Sequence, residues 1–294
     1  MRVLLLGSAA GGGVPQWNCR CTVCELARAG DPRVRPRTQC GFAVSADGTD
    51  WVLVNASPDL RQQLLAAPAL APTGLVRSSP IRGVVLTNGE LDHVVGLLCL
   101  RERHSFALYA TAETHAALDA NPIFEALGRD VVTRVTMSEG APMEISGLTV
   151  EAMAVAGKVP LYLEGKTQAP ASAVALHIRH AGRVCVIAPN CAAVTHELRA
   201  ACDRADLFFF DGTTFTDDEM IHSGLSEKSA GRMGHVAMDG PRGSLAAFRG
   251  LDIGRRVYVH INNSNPVLIE DSPENRQVRA AGWEVGHDGM EFAT

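Results

Sequence analysis

Short runs rich in β-branched, aromatic and leucine residues recur along the chain at 2–6, 40–44, 51–55, 83–86, 107–109, 148–155, 172–179, 184–188, 207–210 and 256–261. Stretches with helical spacing lie between them at 59–67, 93–101, 111–120, 193–201 and 243–248. A chain that alternates between the two periodicities buries its apolar faces as sheets covered by helices, which predicts an α/β (α+β) fold with large sheets. Asp59 and Thr111 stand where helix N-caps are expected, and Asn121-Pro122 and Pro142 mark turns. No short-period repeat, low-complexity tract or linker interrupts the pattern, so 1–294 is read as one domain. The stretch 156–171 reads as a mobile loop between strands, of a length that often serves as a lid.

The balance of 27 basic against 32 acidic side chains gives a net charge of −5, which argues against a nucleic-acid partner, since such proteins carry a basic face. A hydrophobic fraction of 46% excludes wholesale disorder, and no apolar run is long enough to insert in a membrane. The opening Met1-Arg2-Val3-Leu4-Leu5-Leu6 is too short for the apolar core of a secretory signal and reads as a first buried strand. It runs into Gly7-Ser8-Ala9-Ala10-Gly11-Gly12-Gly13, whose spacing departs from the dinucleotide fingerprint and which lacks the P-loop lysine. The loop is therefore a tight turn that lets the backbone pass close to something else.

Three of the eight cysteines crowd into Cys19-Arg20-Cys21-Thr22-Val23-Cys24, while those at 40, 99, 185, 191 and 202 are scattered. This is no disulfide framework; it reads as a reducing, cytoplasmic setting with one metal knot at 19–24. Thiolates so close on a polar loop have little packing rationale, and soft sulfur with no open position suits structural Zn²⁺; three reduced core cysteines are the other reading. A fourth ligand has to come from elsewhere in the chain.

The buried run Val84-Val85-Leu86-Thr87 ends in the loop Asn88-Gly89-Glu90-Leu91-Asp92-His93, and a second constellation, His260-Ile261-Asn262-Asn263, ends another strand-like run. Strand ends of this kind commonly carry chemistry. Asp92, His93 and His260 together would make a two-histidine, one-carboxylate site with open positions, the ligand set of non-haem Fe(II) oxygenases. Spacing alone leaves that open against a helix cap beside a surface histidine.

The strand, the threonine and the loop ending in Asp92-His93 resemble the metallo-β-lactamase superfamily, whose metal motif is His-x-His-x-Asp-His. Asn88 and Glu90 stand at its first two histidines, Gly157 falls near the next, and Asn190 takes the place of a metal-bridging aspartate. The resemblance thus implies one ion rather than two. More closely, the chain resembles the family of coenzyme PQQ biosynthesis protein B. The motifs that carry this are Leu6-Gly7-Ser8-Ala9-Ala10-Gly11-Gly12-Gly13-Val14-Pro15-Gln16-Trp17-Asn18-Cys19-Arg20-Cys21, Asn55-Ala56-Ser57-Pro58-Asp59-Leu60-Arg61, Leu86-Thr87-Asn88-Gly89, Asp92-His93, Gly157-Lys158-Val159-Pro160-Leu161, Phe210-Asp211-Gly212-Thr213, Arg232-Met233-Gly234-His235 and His260-Ile261-Asn262-Asn263.

That resemblance implies an αββα sandwich of two packed sheets flanked by helices. It also implies a part in making pyrroloquinoline quinone (PQQ): hydroxylation of the tyrosine ring of a cross-linked Glu-Tyr dipeptide by iron and O2, with other PQQ biosynthesis proteins as expected partners. The alternative is a non-catalytic carrier of PQQ or a precursor, involved in its transport to the periplasm. Fe(II) would then sit on Asp92, His93 and His260, and structural Zn²⁺ on Cys19, Cys21 and Cys24. Asn263 falls at the fourth zinc position of superfamily phosphodiesterases. His235 becomes a proton shuttle or a packed helix-start histidine, and Asp211 an orienting carboxylate or a turn cap. Glu90 would face metal or substrate, and Lys158, Arg232 and Arg37 would meet substrate carboxylates.

Overall fold

The computed structural model describes residues 1–165 and 172–294. The strands are β1 Arg2–Gly7, β2 Gly41–Ser45, β3 Trp51–Val54, β4 Ile81–Val85, β5 Phe106–Ala110, β6 Val132–Thr136, β7 Pro142–Ile145, β8 Leu148–Val155, β9 Ala173–His180, β10 Arg183–Ala188, β11 Leu207–Asp211, β12 Arg255–Val259, β13 Trp283–Val285 and β14 Met290–Ala293. They form two seven-stranded sheets, in the orders β14-β1-β2-β3-β4-β5-β6 and β13-β12-β11-β10-β9-β8-β7. Each is mixed: β3 to β6 and β10 to β13 run parallel, and the remaining pairs are antiparallel.

Both faces of the inner strands are buried, and successive side chains sort to opposite sides. Val3, Leu5, Phe42, Val44, Ile187, Phe209 and Val257 fill the layer between the sheets. Leu4, Leu6, Leu53 and Leu108 face outward under Leu60 and Leu97, while Phe208, Phe210 and Tyr258 face outward under Leu198, Phe248 and Val278. Helices lie over both outer faces, which is the expected αββα sandwich. No helix among the described residues is long and apolar enough to cross a membrane.

Each of the expected strand runs coincides with an observed strand to within two residues. The strands without a sequence signal are β6, β7, β13 and β14, and these are the four sheet edges. The helix expected at 93–101 is instead one α-turn, Leu91–Val94, followed by a 3-10 segment, Val95–Leu100. Tight packing accompanies the change, since a Cβ on Gly96 would lie 2.0 Å from the Ser57 carbonyl oxygen. Thr111 caps its helix by accepting from the Thr114 N–H. Asp59 does not cap; its Oδ2 instead accepts from Gln39 N at 2.9 Å and Gln39 Nε2 at 3.0 Å. Of the expected 156–171 lid, residues 166–171 lie outside the described residues.

Candidate metal centre

The carboxyl ends of β4, β10, β11 and β12 converge at one rim of the sandwich, where parallel strands of α/β folds commonly present their ligands. The segment after β4 brings Asn88, Glu90, Asp92 and His93. That after β10 brings Asn190, β11 ends in Asp211, and β12 is followed by His260. A bridge from Ala9 to Ile261 ties the end of β1 into the same rim, and Gly11 backs onto the Asp92 carboxylate. Gly12 and Gly13 have φ of +95° and +68°, so the glycine loop makes the tight turn and close approach expected of it.

Asp92, His93 and His260 place one ligand atom each within 4.8 Å of the others. Each histidine is held through Nδ1, which leaves Nε2 for the site. His93 Nδ1 lies 2.9 Å from Asn88 Oδ1, and its Nε2 is buried with no hydrogen-bond partner. His260 Nδ1 lies 3.0 Å from Thr213 Oγ1. That hydroxyl donates to Asp211 Oδ1 at 2.7 Å, so it accepts from the imidazole. His260 Nε2 is 2.9 Å from Asp92 Oδ2. A buried lone pair without a donor, a second imidazole nitrogen and a carboxylate aimed at one point fit a divalent cation.

Electrostatics hold His93 and Asp92 in their ligating forms, while the pairing of His260 with Asp92 favours a proton on His260 that a cation would have to displace. Burial pushes the His93 imidazole down to about 4, which keeps it neutral, the ligating form. Burial opposes ionisation of Asp92, but His93 and His260 overcome it and hold the carboxyl well below its usual range. Burial also opposes the charge on His260, and the hydrogen bond and charge of Asp92 overcome it and raise that imidazole. His260 has φ of +53°, a left-handed conformation that a non-glycine residue adopts at a cost of about 1–3 kcal/mol.

A second trio, Asp211, His235 and His260, also lies close together. Asp211 is nevertheless fully engaged. Its Oδ1 accepts from Thr213 N and Oγ1, and its Oδ2 accepts from Cys191 N at 2.9 Å and His235 Nδ1 at 2.6 Å. It does both things expected of it: Oδ1 caps the following turn through Thr213 N, and Oδ2 orients His235. His235 is not a helix-start histidine: it follows the helix Ala230–Met233 and stacks on His260 with ring centroids 5.3 Å apart.

On the rim, Lys158 Nζ approaches Glu90 Oε1 at 3.5 Å, and the Lys158 stem lies over Gly234. Tyr162 donates to Gly89 O at 2.9 Å, so residues 158–162 strap the loop that carries the ligands. A Cβ on Gly157 would lie 2.6 Å from that of Ala173, which leaves no room there for a histidine. Arg232 is exposed, with no side-chain partner among the described residues. Arg37 is not available to a substrate: it is buried, donates to the Gly286 and Arg35 carbonyls, and burial pushes it down to about 10.

Cys19, Cys21 and Cys24 also converge, and Cys24 sits in a helix, Thr22–Arg28, rather than on the expected loop. The Asn263 amide nitrogen lies 3.1, 3.5 and 3.3 Å from the three sulfurs. Burial raises the Cys19 thiol, but the Cys21 N–H and the neighbouring groups bring it below its usual value; burial pushes Cys21 up to about 12. Thiols in such contact ionise together only around a cation.

The sequence pattern of the Beta-lactamase superfamily domain matches residues 50–261, and the chain belongs to that superfamily. It is 52% identical to coenzyme PQQ synthesis protein B of Methylobacterium nodulans, with 99% of each chain covered. The crystal structure of Zn²⁺-bound PqqB from Methylobacterium extorquens superposes with a TM-score of 0.97 at 50% identity over all of both chains. Within the superfamily, the chain is a member of the coenzyme PQQ synthesis protein B family. A diphosphatase of the PhnP family, 19% identical with a TM-score of 0.69, shares the fold.

Proposed function

We propose that the chain hydroxylates the tyrosine-derived ring of a cross-linked Glu-Tyr dipeptide in cytoplasmic PQQ biosynthesis, with Fe(II) held by Asp92, His93 and His260. The observation that carries this reading is the orphaned His93 Nε2 converging with His260 Nε2 and one carboxylate, while neighbouring positions hold amides, Asn88 and Asn190. Bound Fe(II) would supply the activation of O2, with two electrons from an external reductant taking the second oxygen atom to water. The chain's own residues do the rest. Asn88 and Thr213 hold the imidazoles in the ligating tautomer, and Asp211 fixes His235 through Nδ1, so that His235 Nε2 is free to take or return a proton. Lys158 and Glu90 flank the entrance as a cation and an anion for the charged ends of the dipeptide, and Arg232 supplies a further cation. Cys19, Cys21 and Cys24 hold structural Zn²⁺, with the Asn263 amide turned to present Oδ1 as fourth ligand. Other PQQ biosynthesis proteins would pass on substrate and product.

The test is oxygen uptake by Fe(II)-loaded protein with the synthetic cross-linked dipeptide, alongside His260→Ala. Uptake coupled to ring hydroxylation in the wild type, and none in His260→Ala, supports the reading. No uptake by the Fe(II)-loaded wild type overturns it in favour of a carrier of PQQ or a precursor, and full activity in His260→Ala overturns the ligand assignment alone.

A further inference from the structure

One backbone amide sets the polarity of the metal rim. Glu90 N–H donates to the Asn88 side chain at 2.9 Å, which identifies the accepting atom as Oδ1. The same oxygen faces His93 Nδ1. Asn88 Nδ2 is thereby turned toward the Asn190 side chain, 3.2 Å from Oδ1, and Asn190 Nδ2 faces into the site, 3.4 Å from His260 Nε2. An amide whose oxygen is already satisfied presents only N–H donors in that direction. When the lone pair of His260 Nε2 is committed to a cation, those hydrogens lose their acceptor. The group next within reach is whatever occupies the open face.

We propose that Asn190 is a positioning residue that donates a hydrogen bond from Nδ2 to the small oxygen- or nitrogen-donor ligand bound at the open face of the Asp92, His93 and His260 site. The proposal rests on the metal reading given above. The choice of amide is chemically specific. A carboxylate at the same place would repel an anionic ligand and attract a second cation, whereas a primary amide held by Asn88 does neither and lowers the energy of charge on the ligand. The role of Asn88 follows from the same chain: it fixes the His93 tautomer and the direction of the Asn190 donor together.

The experiment uses full-length protein with zinc in the cysteine cluster and Co(II) added to the second site, titrated with azide and followed by the cobalt d–d absorption. Wild type, Asn190→Leu and Asn190→Ser are compared. Asn190 is half-buried at the rim, so the leucine variant keeps the branched outline, with room at the rim for its slightly larger methyls, and deletes the donor. Loss of a hydrogen bond to a charged ligand predicts azide binding weaker by about tenfold or more in Asn190→Leu, with Co(II) affinity within about threefold of wild type. Asn190→Ser, which keeps a shorter donor, falls between the two. Equal azide affinity in cobalt-loaded wild type and Asn190→Leu overturns the proposal. So does a loss confined to Co(II) affinity or melting temperature, the signature of a merely structural role. A wild type that binds no Co(II) beyond the cysteine cluster overturns the metal reading itself, and this inference with it.

Discussion

Thr213→Val removes one oxygen atom and keeps the shape of a side chain that is 5% exposed. That oxygen is the hub of the rim: it donates to Asp211 Oδ1 at 2.7 Å and accepts from His260 Nδ1 at 3.0 Å. Asp211 survives the change, because Thr213 N, Cys191 N and His235 Nδ1 still donate to it. His260 does not. Its Nδ1–H either stays buried and unpaired, at a cost of about 1–3 kcal/mol, or the proton moves to Nε2. There it donates to Asp92 Oδ2, 2.9 Å away, and the nitrogen ceases to be a ligand. Either outcome penalises the ligating tautomer, and loss of an orienting partner of this kind lowers metal affinity by about 10–100-fold, or about 1.4–2.7 kcal/mol. The assay is a chelator-competition titration of Zn²⁺ or Co²⁺ into the second site, with the cysteine cluster already filled. A valine variant that binds within about twofold of wild type would refute tautomer control by Thr213.

Cys21→Ser is expected to lose one equivalent of zinc by elemental analysis and to melt at lower temperature; normal metal content and stability would exclude a zinc cluster at 19–24. Burial pushes the Glu219 carboxyl up to about 7, with Ser264 and Phe215 as its hydrogen-bond donors. The folded state therefore keeps a proton that the unfolded state loses above its ordinary value of 4.5, and stability present below 4.5 declines as pH rises through 7, by up to about 3 kcal/mol. Glu219→Gln should flatten that decline in urea titrations between acid and neutral pH; an unchanged pH dependence counts against the buried proton. Gly96→Ala should cost about 1–3 kcal/mol or more, because the new methyl meets a backbone carbonyl oxygen rather than a flexible side chain; an unaltered melting temperature would show that the Ser57 segment yields freely.

Strands such as β3 and β11 were legible because they are covered on both faces and therefore read as near-continuous apolar runs. The four edge strands were not. Val132–Thr136 has two exposed residues, and Met290–Ala293 has two exposed and one half-buried; a strand open on one side needs little apolar material. Asp92, His93 and His260 stood out by residue type and by family motif. What sequence order could not supply was the support behind them, because it is assembled from segments far apart in the chain. Thr213 serves His260 across 47 positions, and Asn190 reaches Asn88 across 102. Thr213 lay unremarked within the quoted Asp211-Gly212-Thr213 motif. Arg37 was misjudged for a related reason: an arginine suggests an anion, yet this one spends its donors on the carbonyls of Gly286 and Arg35.

The cysteine cluster and the metal rim are linked by the short segment that starts at His260. Its first residue holds an unfavourable left-handed backbone, φ +53°, and such a conformation persists only where its surroundings over-determine it. They do so here from both sides. Ile261 is pinned by Ser8 O and by Ala10 N at 3.0 and 2.9 Å, and Asn262 N donates to Thr213 O at 3.0 Å. Asn263 then anchors the segment, its side-chain amide 3.1 to 3.5 Å from all three sulfurs and its carbonyl 3.3 Å from Cys21 Sγ. Asn263 meets the sulfurs three residues after His260, so this contact fixes the far end of the turn and with it where Nε2 points. Loosening the cluster should relax His260 toward an ordinary φ and withdraw a ligand from the rim, which gives a structural knot a direct bearing on the site.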